Sequence, residues 1–218
     1  MGRQAREDGI PQLVRPSRDV AIEVAGAFFR RGLRVDMGTV ADKLGVGRTT
    51  LYRWVGDREQ LVGEVLARLT DMAWELVEQR VTDQGVEHAL QSIEEFMTLT
   101  ANWPPLREFA EREPQFALRV LLRSEGPVST HIRGGIEAAF RRHAPELQIE
   151  SNHDLLDTIV QIGTALEWAP IAIGEEPAIE RAVHLIRGLL EPYGAAKGRA
   201  AHNVRKGADD RSRARRNR

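Results

Sequence analysis

Five side chains suited to nucleic-acid contact fall within six consecutive residues. Arg48, Thr49, Thr50, Tyr52 and Arg53 follow a glycine-containing turn in the segment GVGRTTLYRWV, residues 45–55. An arginine can form two parallel hydrogen bonds to a guanine edge, threonine can bond bases or phosphates, and tyrosine and arginine can hold phosphates. The segment predicts a DNA-contacting helix, although a solvated helix face that binds nothing has a similar composition.

Two short helices and a tight turn would have to position these side chains. Asp36 is a candidate N-cap for a first helix, and Gly45 is a candidate end for it. The second helix begins near Arg48, with Leu51 and Val55 facing inward. In such a helix-turn-helix the second helix lies in the major groove and the first crosses the DNA backbone. Three further residues, Gly38, Thr39 and Arg58, are expected to meet the sugar-phosphate backbone.

The amino-acid composition excludes several classes of protein. The 218 residues include no cysteine, which excludes a disulfide framework and a thiol nucleophile. No apolar run approaches the roughly 20 residues that span a bilayer, and the N-terminus is polar, so we expect a cytoplasmic protein. The net charge of −1 hides a tail of +7 over residues 197–218 and a basic zone over residues 30–58. A polyanion would meet both zones.

Apolar residues recur at helical spacing through most of the chain, so the expected fold is all-α. Ser17 is a candidate N-cap of a helix that precedes the helix-turn-helix pair, and a long helix starts at Asp57. We expect a flexible arm over residues 1–15, a helix-turn-helix domain over 16–60, a ligand-binding and dimerisation domain over 61–194 and a disordered basic tail over 195–218.

Residues 36–61, DMGTVADKLGVGRTTLYRWVGDREQL, resemble the N-terminal DNA-binding domain of TetR-family transcriptional regulators. Val40-Ala41, Leu44 to Gly47, Leu51 to Val55 and Arg58 to Leu61 match successive elements of that family's pattern, and the likeness covers about residues 17–65. Gly47 replaces a common serine, so the recognition helix is expected to lack a side-chain cap. Trp54 replaces a histidine that often touches phosphate in the family, and its indole N–H can still donate. The family's N-terminal arm sometimes enters the minor groove, a role open here to Arg15 and Arg18.

The resemblance implies a second domain with an internal pocket for a small-molecule effector. An apolar or amphipathic ligand needs aromatic walls and a few orienting polar groups. The candidate residues are Phe96, Thr100, Trp103, Phe109, Phe116, Gln161, Thr164 and Trp168, with Asn102 and Glu167 as further polar groups. Ordinary core packing is the alternative for each aromatic residue.

The family's last two long helices pair with a partner subunit as a four-helix bundle. Here the helices over residues 152–172 and 177–191 have apolar faces wider than one core requires. The expected homodimer interface comprises Leu155, Ile159, Ile162, Leu166, Val183, Ile186 and Leu190. The alternative explanation of the wide apolar faces is that the helix lies fully inside the core of a monomer. Residues 154–190, DLLDTIVQIGTALEWAPIAIGEEPAIERAVHLIRGLL, also resemble the QsdR-type subgroup. That resemblance implies a repressor of a small catabolic operon, with lactone-like or acyl compounds as one class of inducer it allows.

Other function classes receive less support. The sequence lacks a nucleophile elbow, a phosphate-binding Gly-Lys-Ser/Thr loop, an HExxH motif and a Rossmann glycine fingerprint, and its histidines lack metal-ligand spacing. We therefore expect no catalytic residues, metal or cofactor. A ligand-responsive repressor is the favoured interpretation. A nonspecific nucleoid protein and an activator of the same fold remain alternatives.

Overall fold

A computed structural model describes residues 15–81 and 85–192, and within them every regular element is helical, which confirms the all-α expectation. The helices are α1 (Arg18–Arg30), α2 (Met37–Leu44), α3 (Arg48–Val55), α4 (Arg58–Glu78), α5 (Val86–Ala101), α6 (Pro104–Arg112), α7 (Pro114–Leu121), α8 (Pro127–His143), α9 (His153–Ile171) and α10 (residues 179–192). Two single 3₁₀ turns, Pro145–Leu147 and Ile149–Ser151, connect α8 to α9.

The first three helices form a small unit whose boundaries follow from local capping. The Ser17 hydroxyl accepts from Val20 N at 3.3 Å, and the Asp36 carboxylate accepts from Thr39 N at 3.0 Å. Gly45 ends α2 in the left-handed conformation, with φ of 66°, which glycine adopts without a Cβ penalty. Gly47 provides no side-chain hydrogen bond to α3, as its replacement of serine predicts.

The long helix α4 connects this unit with the rest of the protein. Asp57 and Gln60 form a capping box: Gln60 N donates to Asp57 Oδ1 at 2.8 Å, and Asp57 N donates to Gln60 Oε1 at 3.1 Å. The start of α4 buries Leu61 and Val62, and its far end buries Trp74 and Val77. One continuous helix therefore contacts both parts of the chain.

Helices α5, α7 and α8 pack against α4, and α9 packs against α5, α6, α7 and α8. Proline occupies the first turn of α6, α7 and α8, where its missing N–H has no intrahelical partner to lose. The most extensive helix pairing joins α4 and α8. At their crossing the Trp74 ring lies so close to Gly135 that a Cβ there would overlap it. The glycine therefore sets the separation of these two helices.

Of the expected arm over residues 1–15, residues 1–14 lie outside the described part of the chain, as does the whole expected tail over residues 195–218. None of the helices in residues 15–81 and 85–192 combines the length and apolar character needed to cross a bilayer.

Candidate DNA-reading helix and ligand cavity

The described structure brings the polar residues of α3 onto one accessible face. Arg48, Thr49, Tyr52 and Arg53 are exposed, and Thr50 is half-buried. Leu51 and Val55 are buried on the opposite side, where they anchor α3 against α1 and α2. A short helix held by two apolar residues thus presents a continuous row of hydrogen-bond donors to solvent, as groove reading requires.

The start of α2 lies beside this row. The side chain of Arg48 extends over Gly38, and a Cβ at Gly38 would be only 2.7 Å from Arg48 Nη2. Thr39 is exposed next to it, while Gly38 is buried. Hydrogen bonds, chiefly from the Thr39 backbone, lower the pKa of Asp36, so this cap is negatively charged at neutral pH.

Arg58 does not belong to this exposed surface, which corrects the sequence prediction for it. Its guanidinium donates to both carboxylate oxygens of Glu113 at 2.7 Å, and its Nε donates to Val35 O at 2.6 Å. It also lies 4.2 Å from the centre of the Phe116 ring. These partners turn the cation toward α6 and α7. The Arg58 hydrogen bonds lower the pKa of Glu113.

Two other predicted DNA contacts are less accessible than the α3 row. Trp54 is half-buried and packs against the core, which leaves only part of its ring at the surface. Arg18, a candidate for the N-terminal arm, is paired with Glu64 at 2.8 Å, whereas Arg15 is exposed. The nine predicted DNA residues therefore divide into an α3 and α2 group, a partly covered Trp54 and an inward-facing Arg58.

A largely apolar cavity of about 250 Å³ opens among α1, α4, α5, α6, α7, α8 and α9. Its lining residues are Arg30, Leu66, Leu69, Thr70, Met72, Ala73, Leu76, Phe96, Leu99, Thr100, Trp103, Leu106, Leu121, Val128, Ile132 and Trp168. Met72 and Leu76 are each about half exposed. A concave apolar site with few polar groups is the usual architecture of a small-molecule pocket.

Four of the eight predicted ligand residues line this cavity, and four do not. Phe96, Thr100, Trp103 and Trp168 are in its wall. Phe109 of α6 lies outside it. Its ring packs edge-on against Phe29, at a centroid distance of 5.3 Å, where α6 meets the unit formed by α1, α2 and α3, called here the DNA-reading unit. Phe116 lies beneath Arg58, as described above.

Gln161 and Thr164 both lie on α9, and neither lines this cavity. Gln161 is exposed at the protein surface. Thr164 is buried, donates to Val160 O at 2.8 Å and lines a much smaller adjoining cavity with Glu167. The further polar candidate Asn102 is exposed and donates to Thr98 O at 2.8 Å. The choice among polar residues thus depended on helix rotation, which the sequence pattern did not specify.

Glu167 is a fully buried carboxyl group directly behind the cavity wall. Thr100, which lines the cavity, bonds to Glu167 Oε1 at 2.6 Å and also donates to Phe96 O at 2.8 Å. Burial raises the pKa of Glu167 from 4.5 to about 8, and the Thr100 bond offsets only part of that shift. The carboxyl group is therefore mainly protonated at neutral pH and can itself donate to Thr100.

The predicted ligand set includes no residue of α1 or α4, although both helices line the cavity. Arg30 lies in the last turn of α1, and Leu66, Leu69 and Thr70 follow one side of α4. In sequence Met72 and Leu76 continue the apolar stripe of α4, and only the structure shows that they are exposed, as apolar residues that border a binding site often are.

The predicted dimer residues are mostly interior, which corrects that set. Leu155, Ile159, Val183, Ile186 and Leu190 are buried within one protomer, because they form the inward stripes of α9 and α10. Ile162 and Leu166 are half-buried. Each helix also has accessible small and apolar residues at helical spacing, which are here called the accessible face: Ile162, Ala165, Leu166, Ala169 and Ile173 on α9, and Leu185, Gly188 and Leu189 on α10.

Comparisons with known proteins agree with this architecture. Residues 84–191 match the tetracyclin repressor-like C-terminal domain family. The structure of the transcriptional repressor QsdR of the TetR family from R. erythropolis is similar, with 29% identity, a TM-score of 0.69 and coverage of 80% of this chain and 94% of that chain. No curated protein matches the sequence.

A second solved structure shares the fold alone. It is the TetR-family repressor AlkX from Dietzia sp. strain DQ12-45-1b, implicated in biodegradation of n-alkanes, with 19% identity and a TM-score of 0.56. The alignment covers 82% of this chain and 95% of AlkX. The helix-turn-helix, the match of residues 84–191 to the C-terminal domain family and the similarity to QsdR all support a DNA-binding transcriptional regulator of the TetR family.

Proposed function

We propose that the protein is a homodimeric repressor that leaves an inverted-repeat operator when an apolar or amphipathic ligand enters the cavity. In this proposal residues 16–60 read DNA, and residues 61–194 bind the ligand and pair the subunits. The observation that carries it is the position of α4, which starts next to the reading helix and lines the cavity along its middle.

The reading helix supplies the specificity in this proposal. Arg48 stands at the exposed start of α3 with Thr49 beside it, and Tyr52 and Arg53 lie one turn further on. The first two are suited to base edges and the last two to phosphates. Two such helices in a dimer would enter successive major grooves, roughly 34–36 Å apart.

Ligand and DNA would communicate through two connections. One is α4 itself, and the other is the Arg58 guanidinium, which holds both Val35 O beside the reading unit and Glu113 of the ligand-binding domain. A ligand that favours a wrong spacing of the two reading helices lowers operator affinity, and operator DNA must weaken ligand binding by the same factor.

Dimerisation would use the accessible face of α9 and α10 that was defined above. Small residues such as Ala165, Ala169 and Gly188 let helices approach closely, while Leu185 and Ile173 are 43% and 72% exposed and contribute apolar area. This face replaces the interior set that the sequence pattern favoured.

The test is a selection of bound sequences from random duplex DNA at one fixed salt concentration, with wild type, Arg48→Ala and Arg53→Ala in parallel. We expect wild type to enrich an inverted repeat, Arg48→Ala to relax the preference at one position in each half-site, and Arg53→Ala to weaken binding to all sequences similarly. For Arg48→Ala the expected loss is about 1–3 kcal/mol per half-site.

Retention without enrichment, decreasing as salt rises, would instead support the nonspecific nucleoid alternative. Repression and activation are separated by a promoter-reporter measurement with the enriched site placed over and then upstream of the promoter. Repression at the first position without stimulation at the second is the outcome expected here.

A further inference from the structure

One charged side chain borders the otherwise uncharged cavity. Among the described residues that line it, Arg30 carries the only formal charge, and Thr70 and Thr100 supply hydroxyl groups. Arg30 comes from the last turn of α1, within the DNA-reading unit. The cavity therefore combines apolar walls from the second domain with a cation from the first.

No partner among the described residues neutralises this cation. Within residues 15–81 and 85–192, the exposed Arg30 side chain has no ion pair or hydrogen bond, whereas three other arginines of α1, α4 and α6 and their flanks do. Arg34 pairs with Glu113 at 3.4 Å, Arg68 with Asp19 at 2.6 Å, and Arg112 donates to Gly32 O at 3.1 Å. The Arg30 side chain folds back along α1, where a Cβ at Gly26 would be 3.3 Å from its Nη1.

We propose that the effector is an anionic amphiphile whose carboxylate pairs with Arg30 while its apolar chain fills the cavity. The planar guanidinium can bind a carboxylate through two parallel hydrogen bonds. The cavity volume of about 250 Å³ equals roughly eight water volumes, which accommodates most of a ten-carbon chain. This inference rests on the proposed ligand-binding function of the cavity and names the class of its ligand.

The position of Arg30 also gives the negative charge of the ligand a role in releasing the operator. Its neighbour Phe29 contacts the Trp103 ring of the cavity wall at a centroid distance of 5.9 Å, so this end of α1 already adjoins the ligand domain. A bound carboxylate forms an ion pair with Arg30 of α1, whereas an uncharged chain fills the cavity without this contact to α1. At equal occupancy, a carboxylate should release the operator more effectively than the corresponding alcohol.

The test measures binding without DNA, on the full chain, with decanoate and 1-decanol below their aggregation concentrations. Calorimetry gives affinity, and the fluorescence of Trp103 and Trp168 reports arrival in the cavity, because both line it. The variant is Arg30→Gln. The matched control is Arg31→Gln, which removes the adjacent exposed arginine that does not line the cavity.

We expect Arg30→Gln to weaken decanoate binding about tenfold and to leave 1-decanol binding unchanged. Arg31→Gln should behave as wild type with both probes. The preference of wild type for decanoate should decrease as salt rises, since the pair is partly exposed to solvent. Thermal unfolding of both variants at matched concentration checks that each is folded.

Three results would overturn the inference. Decanoate affinity that is unchanged by Arg30→Gln removes the ion pair, and equal losses for both probes indicate that Arg30 acts through packing. In either case binding to wild type leaves the proposed function intact. If neither probe binds wild type, the inference fails for these chains, and the operator selection described above decides the DNA-binding part of the proposed function independently.

Discussion

At the scale of single residues, the most unusual group is the carboxyl of Glu167. It is buried among apolar side chains of α5, α8 and α9, and its bond partner is the Thr100 hydroxyl at 2.6 Å. An ionised carboxylate in such surroundings is costly without a positively charged partner, so the proton is retained. The hydroxyl that faces the cavity is thereby held by a neutral acid.

This burial predicts a pH dependence of stability. The pKa of Glu167 rises from 4.5 to about 8 on folding. Its protonated form therefore gives full stability below pH 4.5, and stability declines as pH rises toward 8, because the unfolded chain gains the ionised form. Relative to Glu167→Gln, wild type should lose roughly 1 kcal/mol of unfolding free energy per pH unit across that interval. Urea unfolding at fixed protein concentration measures this difference, and parallel pH profiles would contradict it.

At the scale of helices, the crossing of α4 and α8 depends on a missing side chain. Gly135 faces the Trp74 ring, and a Cβ at this position would overlap the indole. Trp74 in turn stacks on Phe96 of the cavity wall, with ring centroids 4.3 Å apart and planes 7° from parallel. A side chain at Gly135 would therefore displace Trp74 and, through it, Phe96 of the cavity wall.

Gly135→Ala is expected to destabilise the protein by about 1–3 kcal/mol, because overpacking displaces Trp74 or separates the helices. The adjacent Gly134 is exposed on the same helix, and nothing lies within 4 Å of a Cβ there. Gly134→Ala should accordingly be neutral or stabilising by up to about 1 kcal/mol. Thermal unfolding of the two variants tests the pair, and equal effects would show that the crossing tolerates the methyl group.

The junction of α6 and α7 forms a second connection between elements. Glu113 receives two hydrogen bonds from Arg58, and both side chains are less than one-fifth exposed. Removal of the acid leaves a partly buried guanidinium with only Val35 O and the Phe116 ring as partners. Such unpaired charges are costly, whereas exposed pairs contribute little.

Glu113→Gln should therefore lower the unfolding free energy by about 1–3 kcal/mol at pH 7. The pKa of Glu113 is lowered in the folded protein, chiefly by the Arg58 hydrogen bonds, so its contribution is present above pH 4.5 and is lost as pH falls through the folded pKa. Glu111→Gln, which removes an exposed partner of Arg107, should change stability by less than about 0.5 kcal/mol. Chemical denaturation at pH 7 and pH 3 compares these variants, and a Glu113→Gln deficit that is as large at pH 3 as at pH 7 would exclude the ion pair as its cause.

At the scale of the whole molecule, the proposed dimer has a direct test. Ala165 is exposed on α9 within one protomer, so a larger polar residue there should leave the protomer folded. Ala165→Glu places two charges near each other across a two-fold interface and should yield monomers in analytical ultracentrifugation. Thr98→Glu, on the exposed side of α5, is the control and should resemble wild type. A dimer that survives Ala165→Glu would place the interface elsewhere.

The sequence by itself determined the helices and the helix-turn-helix. The signals were local: Ser17, Asp36 and Asp57 cap helices within three residues, and Gly45 supplies the left-handed turn. Capping and helical periodicity act over one or two turns, so they can be read without knowledge of the fold. The family resemblance over residues 17–65 came from the same segment.

Tertiary structure alone decided which way several side chains face. Arg58 faces inward because Glu113, 55 residues away, accepts its hydrogen bonds at the α6–α7 junction. Ile159 and Ile186 became core because α9 and α10 turn their most apolar stripes inward, and Arg30 reached the cavity because α1 ends beside α6. Helical period defines the faces of a helix but not their partners, since each partner is chosen by packing between elements distant in sequence.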